Sequence, residues 1–362
     1  MGLDWNDPEN GNNSEASKSQ DKPAEKIPHE ALQPVKASDK RVINGTSDIN
    51  QLAPFKYPWA WNYFLNANKN HWSPTDVDLK QDVIDYNEKL SPAEKKLVTD
   101  VVSYLTTSDI QAMRNIGLAV MEKMTAPELQ IYQARQMYEK SLHTWAFQYF
   151  IEQIGIAEDI YNRYRVIPEI HQKVEATNQY LKPVMQPDLD LNDSESLNQF
   201  MQSYAFFSGV FEGCWIYNAF IPIFTLQNRG LMQGLAQLCQ YIFRDLTMHI
   251  DFGTQVLRSI QEETGFKWNQ QKNADLWQLC YELEQAYIER LLEQPVSDMS
   301  TSDYLNHFRH VANRRALSMG MTPPFDEQTD AFPWLDKKAS IGREETDSSS
   351  HEIQSSGSLS WD

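Results

Sequence analysis

Cysteine is nearly missing from this chain. Three occur in 362 residues, Cys214, Cys239 and Cys280. All three sit in apolar, helix-like runs, and none stands at a metal-binding or disulfide spacing. That excludes a disulfide framework and a thiolate zinc site, and a reducing cytoplasm is the compartment that fits. Glycine is sparse, at 14 residues. No segment shows convincing period-two alternation, which argues against a sheet fold. Basic residues are outnumbered, 32 against 50 acidic ones, for a formal net charge of −18. Such a balance argues against nonspecific nucleic-acid binding and against anionic membranes, both of which need clustered Lys and Arg. No unbroken run of about 18 apolar residues is found, so no transmembrane helix is expected. The first twenty residues have neither a basic start nor an apolar core, so no secretory leader is expected.

What is present is a long helical core between two polar arms. Hydrophobic residues make up 41% of the chain, enough for one sizeable core. Residues 1–40 are rich in Asn, Ser, Lys, Glu and Pro and read as a disordered arm. Residues 337–362 read as a second, flexible tail. Between them, 41–336 reads as an all-α bundle. Ser91-Pro92-Ala93-Glu94 has the form of a capping box with proline at the first helical position, and Thr125-Ala126-Pro127-Glu128 repeats it. The helices that follow run to about 120 and about 155. Further helices are expected at about 194–221, ending near Pro222, and at about 228–263, 271–293 and 302–318. Four helices of this length make a bundle wide enough to hold a site in its core.

Several polar residues stand where that core should be. Glu212 is the one acid in FFSGVFEGCWIYNAF, and a buried carboxylate needs a partner or a cation. In QYIFRDLTMHIDFG, Arg244, Asp245, His249 and Asp251 interrupt an apolar helix. Asp245 and His249 are four apart and share a face, so a hydrogen bond between them is expected. In MYEKSLHTWAFQYF stand Glu139, Lys140 and His143, and in LTTSDIQAM stands Asp109. Of eight histidines, only His143 and His249 lie in long apolar helices. Two such histidines with two acids, on four helices, point to the carboxylate-bridged di-metal bundles, in which acid-x-x-His pairs line one helix face.

The pattern is incomplete. Three residues before His143 stands Lys140, and three before His249 stands Leu246, where acids are needed. Asp109, His143, Glu212 and His249 suffice for one metal but lack the bridging acids for two. An ammonium among metal ligands repels a dication. Lys140 has the alternative of pairing with Glu212 or Asp109 and taking the electrostatic place of the metal. Glu139 adjoins Lys140, but the helix turns it about 100° away.

From about residue 41 to the end, the chain resembles the small (β, R2) subunit of class I ribonucleotide reductase. The resemblance rests on RVINGTSDINQLAPFKYPWAWNYFLNANKNHWSP, TAPELQIYQARQMYEKSLHTWAFQYF, FEGCWIYNAF, QYIFRDLTMHIDFG, NRRALSMG and the terminal SGSLSWD, in that order. It implies a ferritin-like bundle that dimerises and holds a di-iron, di-manganese or mixed centre. It also implies a path that carries an oxidising equivalent through a tryptophan and a tail tyrosine to a large α subunit, which makes deoxyribonucleotides. On this resemblance the metal positions are Asp109, His143, Glu212 and His249, which keep their type, and Lys140 and Leu246, which do not. The tryptophan of the path is Trp72 and its helper acid Asp245. The radical-tyrosine position holds Phe147 and the tail-tyrosine position Ile353. Leu359 and Trp361 keep the tail's α-docking side chains.

Taken together, these changes imply a β-like chain without metal, or with at most one. It is expected to bind α through its tail, or to pair as a homodimer or with an authentic β subunit, and to act in assembly or regulation. The competing expectation is an active β subunit with an unusual mono-metal or metal-free radical cofactor, for which Tyr138, Tyr149 and Tyr161 are non-standard radical hosts near the site in sequence. A different ferritin-like oxidase would leave the tail unexplained.

Overall fold

Ser91 opens the first of the long helices as its sequence suggests. Its hydroxyl accepts the Glu94 N–H while the Glu94 carboxylate takes the Ser91 N–H, at 2.8 Å, and Pro92 fills the first helical position. The structure is a computed structural model that describes residues 34–45, 50–187, 189–296, 298–326 and 329–338. Apart from Pro34 these belong to one compact unit, Val35–Asp362. Its main helices are α1 (Pro58–Asn68), α2 (Pro92–Asn115), α3 (Pro127–Ile154), α4 (Pro168–Leu181), α5 (Ser194–Ala205), α6 (Ile221–Asn228), α7 (Gln233–Thr264), α8 (Gln270–Leu291) and α9 (Thr301–Ser318). Among the described residues no strand forms, and two isolated bridges, Ile43–Met124 and Val296–Met299, are the only β-type pairings.

The bundle is all-α, as expected, with α2 packed along α3 and with α7 and α9 packed on the stretch that follows α5. That stretch, Phe206–Ile216, is π-helical and contains Glu212. A wider turn of this kind is tolerated where packing from outside holds it, and it marks functional positions in many helices. Here the close approach depends on glycine. A Cβ on Gly253 would fall 2.1 Å from Ser208 Oγ, and one on Gly213 would meet the Ser208 carbonyl oxygen at 2.7 Å.

Three sequence expectations are corrected. Thr125 does not cap α3: its hydroxyl binds the Arg41 carbonyl and accepts the Gly45 N–H, and Ala126 is the N-cap. Glu128 is drawn away as well, accepting the Lys56 and Tyr57 N–H groups and pairing with the fully buried Lys40 at 3.3 Å. The box thus loses to tertiary partners from residues 40–57. Helix α7 begins at Gln233, not 228, because Gly230 and Met232 take positive φ values and turn the chain. Its first N–H groups are capped from afar by Asp82 (Gly234 N, 2.9 Å; Leu235 N, 2.8 Å). Finally, the helix expected to end near Pro222 runs on, giving a helical run Ser194–Asn228 that is long and apolar enough to cross a membrane by length and composition only. Its apolar window is entirely buried inside the protein, as the central helix of a bundle must be.

Candidate functional site

The four long helical runs bring the expected polar residues together. Helix α2 supplies Asp109, α3 supplies Glu139, Lys140 and His143, the π-helical stretch supplies Glu212, and α7 supplies Asp245, Leu246 and His249. All are buried, with no more than 2% of each exposed. Burial at this depth makes each unpaired charge costly, so the pairing pattern is the central question.

Lys140 is the hub. Its Nζ lies 2.8 Å from Glu212 Oε1 and 3.3 Å from Asp109 Oδ1. The two histidines flank it. His143 Nδ1 faces Asp109 at 3.7 Å and His249 Nδ1 faces Glu212 at 3.7 Å. Each imidazole is oriented from its other nitrogen: His143 Nε2 lies 3.2 Å from Asp245 Oδ2, and His249 Nε2 lies 2.7 Å from Glu139 Oε2. Asp245 also accepts from Trp72 Nε1 at 3.3 Å and Asn70 Nδ2 at 3.2 Å. Glu139 accepts from Arg135 Nε at 2.9 Å.

The expected Asp245–His249 hydrogen bond is therefore replaced. Asp245 turns across the bundle to His143, and Glu139 takes its place beside His249. Glu139 is the site residue that the sequence reading set aside. The 100° between Glu139 and Lys140 is real, but α3 is enclosed by neighbours, and both positions face protein. A signal was present: Glu139 lies four residues after Arg135 and four before His143, so it shares a face with each.

Every resolved shift in the cluster favours the charged form. Burial alone would lower the Lys140 pKa, but Glu212 and Asp109 outweigh it and hold the ammonium above the usual lysine range. Burial likewise opposes charge on the histidines. Asp109 and Asp245 overcome it at His143, and Glu139 and Glu212 overcome it at His249, so both imidazoles are pushed up. Glu212 is pulled down against its burial by Lys140 and His249, and Asp245 by His143. Lys140 pairs with Glu212 and Asp109, Arg135 with Glu139, and the two histidines lie against Asp245 and Glu139, so each carboxylate of the cluster has a nitrogen partner within it.

This donor set does not fit a two-metal centre. A lysine ammonium stands between the two acids that would hold the metals, and Leu246, fully buried, offers no donor atom. Among the described residues no three His, Cys, Asp or Glu side chains are grouped to hold a metal ion. Phe147 is fully buried and has no redox-active hydroxyl. Of the tyrosines expected near the site, Tyr138 is 55% exposed, Tyr161 is 42% exposed, and Tyr149 donates to the Val77 carbonyl at 3.2 Å. Tyr132, two turns before Lys140 on α3, is a buried tyrosine on which charges of the cluster act. It is fully buried against Phe252, with ring centroids 4.2 Å apart, and its hydroxyl has no hydrogen-bond partner. Burial raises its pKa, and the charges of Glu139, Glu212 and Asp245 add to that. Ile353, Leu359 and Trp361 lie outside the described residues.

Comparison with known proteins gives the family. A family model for the ribonucleotide reductase small chain matches residues 49–333. The chain is 30% identical to a ribonucleoside-diphosphate reductase subunit beta of Chlamydia pneumoniae over 91% of this chain and 97% of that protein. It is 24% identical to a small subunit from Dictyostelium discoideum, over 82% and 83% of the two chains. Among solved structures, the R2 subunit from Clostridium botulinum matches with a TM-score of 0.75 at 17% identity, covering 83% of this chain and 94% of the other. The dimanganese(II)-NrdF of Streptococcus sanguinis matches with a TM-score of 0.64 at 18% identity, covering 81% and 99%. These two place the fold among ferritin-like R2 bundles. With the family model spanning most of the helical core and a relative 30% identical over nearly the whole of both chains, the chain belongs to the ribonucleotide reductase small-chain family.

Proposed function

We propose that this chain is a β-type subunit of ribonucleoside-diphosphate reductase that assembles with the large α subunit in deoxyribonucleotide synthesis without generating a radical of its own. The observation that carries this is the Lys140 ammonium between Asp109 and Glu212, 3.3 and 2.8 Å away. A fixed positive charge there answers the two carboxylates and repels a dication. Leu246 and Phe147, both fully buried, support the same reading, since neither a ligand nor a phenol remains at those positions. Its role is that of an assembly or regulatory partner, as a homodimer or paired with an authentic β subunit, with Leu359 and Trp361 as anchors on α.

The test combines capture and spectroscopy. The full chain is expected to retain purified α, and deletion of residues 355–362 to abolish retention. Electron paramagnetic resonance after loading with iron or manganese and treatment with oxygen or peroxide is expected to show no protein radical. A radical that supports nucleotide reduction with α would overturn the proposal.

One observation favours a second reading. Trp72, Asp245 and His143 form a continuous hydrogen-bonded chain, at 3.3 and 3.2 Å, from a partly buried indole to the cluster. An active subunit with a mono-metal or metal-free radical cofactor would use that chain, with Tyr132 as a buried phenol on which the cluster's charges act. A radical signal abolished by Tyr132→Phe would establish this alternative.

A further inference from the structure

Away from the buried cluster, α2, α3, α4 and the short segment Glu158–Asn162 enclose a cleft of about 360 Å³. Ile110, Ile151, Ile160 and Val174 line it, together with the rings of Tyr161 and Tyr164. The hydroxyls in its wall are committed to backbone. Ser103 Oγ donates to the Ile160 carbonyl at 2.9 Å, Thr106 Oγ1 to that of Val102 at 2.8 Å, and Thr107 Oγ1 to that of Ser103 at 3.0 Å. With those protons used inside the protein, the wall is mainly apolar.

The carboxamides of the lining are also engaged. Gln111 Nε2 donates to Asn178 Oδ1 at 3.2 Å and to the Val174 carbonyl at 3.3 Å. Arg114 is different. It lines the cleft from an exposed position on α2, and among the described residues it makes no hydrogen bond and no ion pair. Arg114 also lines an adjoining cleft of about 500 Å³, with Lys182 and Glu175. The Glu175 carboxylate accepts Asn178 Nδ2 there, at 3.4 Å, and does not pair with the guanidinium.

We propose that the first cleft binds a small carboxylate with an aromatic or aliphatic body, its carbon against the isoleucines and tyrosines and its carboxylate on Arg114. A cavity of this size with an apolar wall and one placed charge has the usual form of a small-molecule site. Ile110 and Tyr161 are 43% and 42% exposed, and a carbon body laid over them removes that surface from water. A guanidinium presents paired N–H groups that match the two oxygens of a carboxylate, and such charge-assisted pairs are stronger than neutral ones. The net charge of −18 works against any anion at a distance. Recognition therefore has to come from contact with Arg114, with Lys182 adding positive charge in the adjoining cleft.

The test is calorimetric titration of the full chain with 2-naphthoate, and with 2-naphthamide, which has the same rings and no charge. Naphthoate is expected to saturate a single site and to bind about tenfold more tightly than the amide, as a hydrogen bond to a charged group warrants. Arg114→Met is expected to bring naphthoate down to the level of the amide and to leave the amide unchanged. Ile110→Trp, which fills the mouth, is expected to weaken both. Both positions are exposed on α2, and thermal unfolding of each variant verifies its fold. Equal affinity for acid and amide would overturn the proposal, as would naphthoate binding that Arg114→Met leaves unchanged, or no binding at millimolar ligand. Sedimentation of the same samples reports on the other occupant that an apolar mouth admits, a second copy of the chain. Self-association that Ile110→Asp abolishes, with no naphthoate bound, would assign the cleft to a contact between copies and overturn the ligand site.

Discussion

At the residue scale, the cluster behaves as a closed set in which each charge has an assigned partner. Removing one member should therefore cost more than an exposed pair would. Glu139→Gln leaves His249 and Arg135 without their carboxylate, and a loss of about 3–5 kcal/mol in unfolding free energy is expected from a broken buried pair. Chemical denaturation followed by tryptophan fluorescence measures it. A change below about 0.5 kcal/mol, as at ordinary surface positions, would show that Glu139 is not part of the balance. The converse change is Lys140→Glu with Leu246→Glu, which restores two carboxylates to the cluster and removes the ammonium. Iron or manganese affinity, measured by titration with a chelator competitor, is expected to rise at least a hundredfold, in line with the large electrostatic effect of an ammonium among ligands. An unchanged affinity would show that the helices no longer present these positions to a common point. The sequence displayed most of this set. Asp109, Lys140, His143, Glu212 and His249 were legible as polar residues in apolar helices. Glu139 was set aside because helical geometry turns it from Lys140; its four-residue spacing from Arg135 and His143 was the signal passed over, and the enclosure of α3 buries both positions.

At the element scale, packing has more influence than local signals. The Ser91 box survives because Arg229 takes only the other Glu94 oxygen, while the Thr125 box gives way to Arg41, Gly45, Lys40, Lys56 and Tyr57. Long-range caps such as Asp82 on α7 leave no local trace in the sequence. The helices themselves were legible from their apolar runs, but the π-helical turn around Glu212 was not. It depends on how closely α7 and α9 approach, which glycines at 209, 213 and 253 set. Gly253→Ala should push the Ser208 side chain out of place and cost about 1–3 kcal/mol by overpacking. Thermal unfolding should show it as a lowered midpoint, and an unaltered midpoint would mean that α7 has room to shift. A pH effect belongs to the same scale. Asp336 is pulled down to about 2: burial works against this, and the Arg314 hydrogen bonds and the Tyr217 hydroxyl overcome it. Its folded pKa lies below the ordinary aspartate value of 3.8, so its stabilisation is fully present above about 4 and is lost as pH falls towards 2. An acid titration should show loosening of the Leu335–Lys338 turn over that window, and Arg314→Met should move the transition to higher pH. A transition that Arg314→Met leaves in place would assign the acid sensitivity to other carboxylates.

At the scale of the whole molecule, a small-chain fold encloses a buried cluster centred on Lys140. The long helices hold the Trp72–Asp245–His143 chain, and positions 140 and 246 place an ammonium and an isobutyl group in the buried cluster. A scaffold of this family is expected to keep its partner surfaces, so the terminal Leu359 and Trp361 should govern binding to α. Leu359→Ala with Trp361→Ala is expected to weaken that binding at least tenfold in a titration, because a few buried apolar anchors carry most of the energy of such contacts. The central claim is that Lys140 takes the place of the cation. It is tested most directly by elemental analysis of protein produced with ample iron and manganese. Essentially no metal per chain is the predicted result. About two metals per chain would contradict it, because the cluster would then have found other ligands and Lys140 would have to leave its place between Asp109 and Glu212.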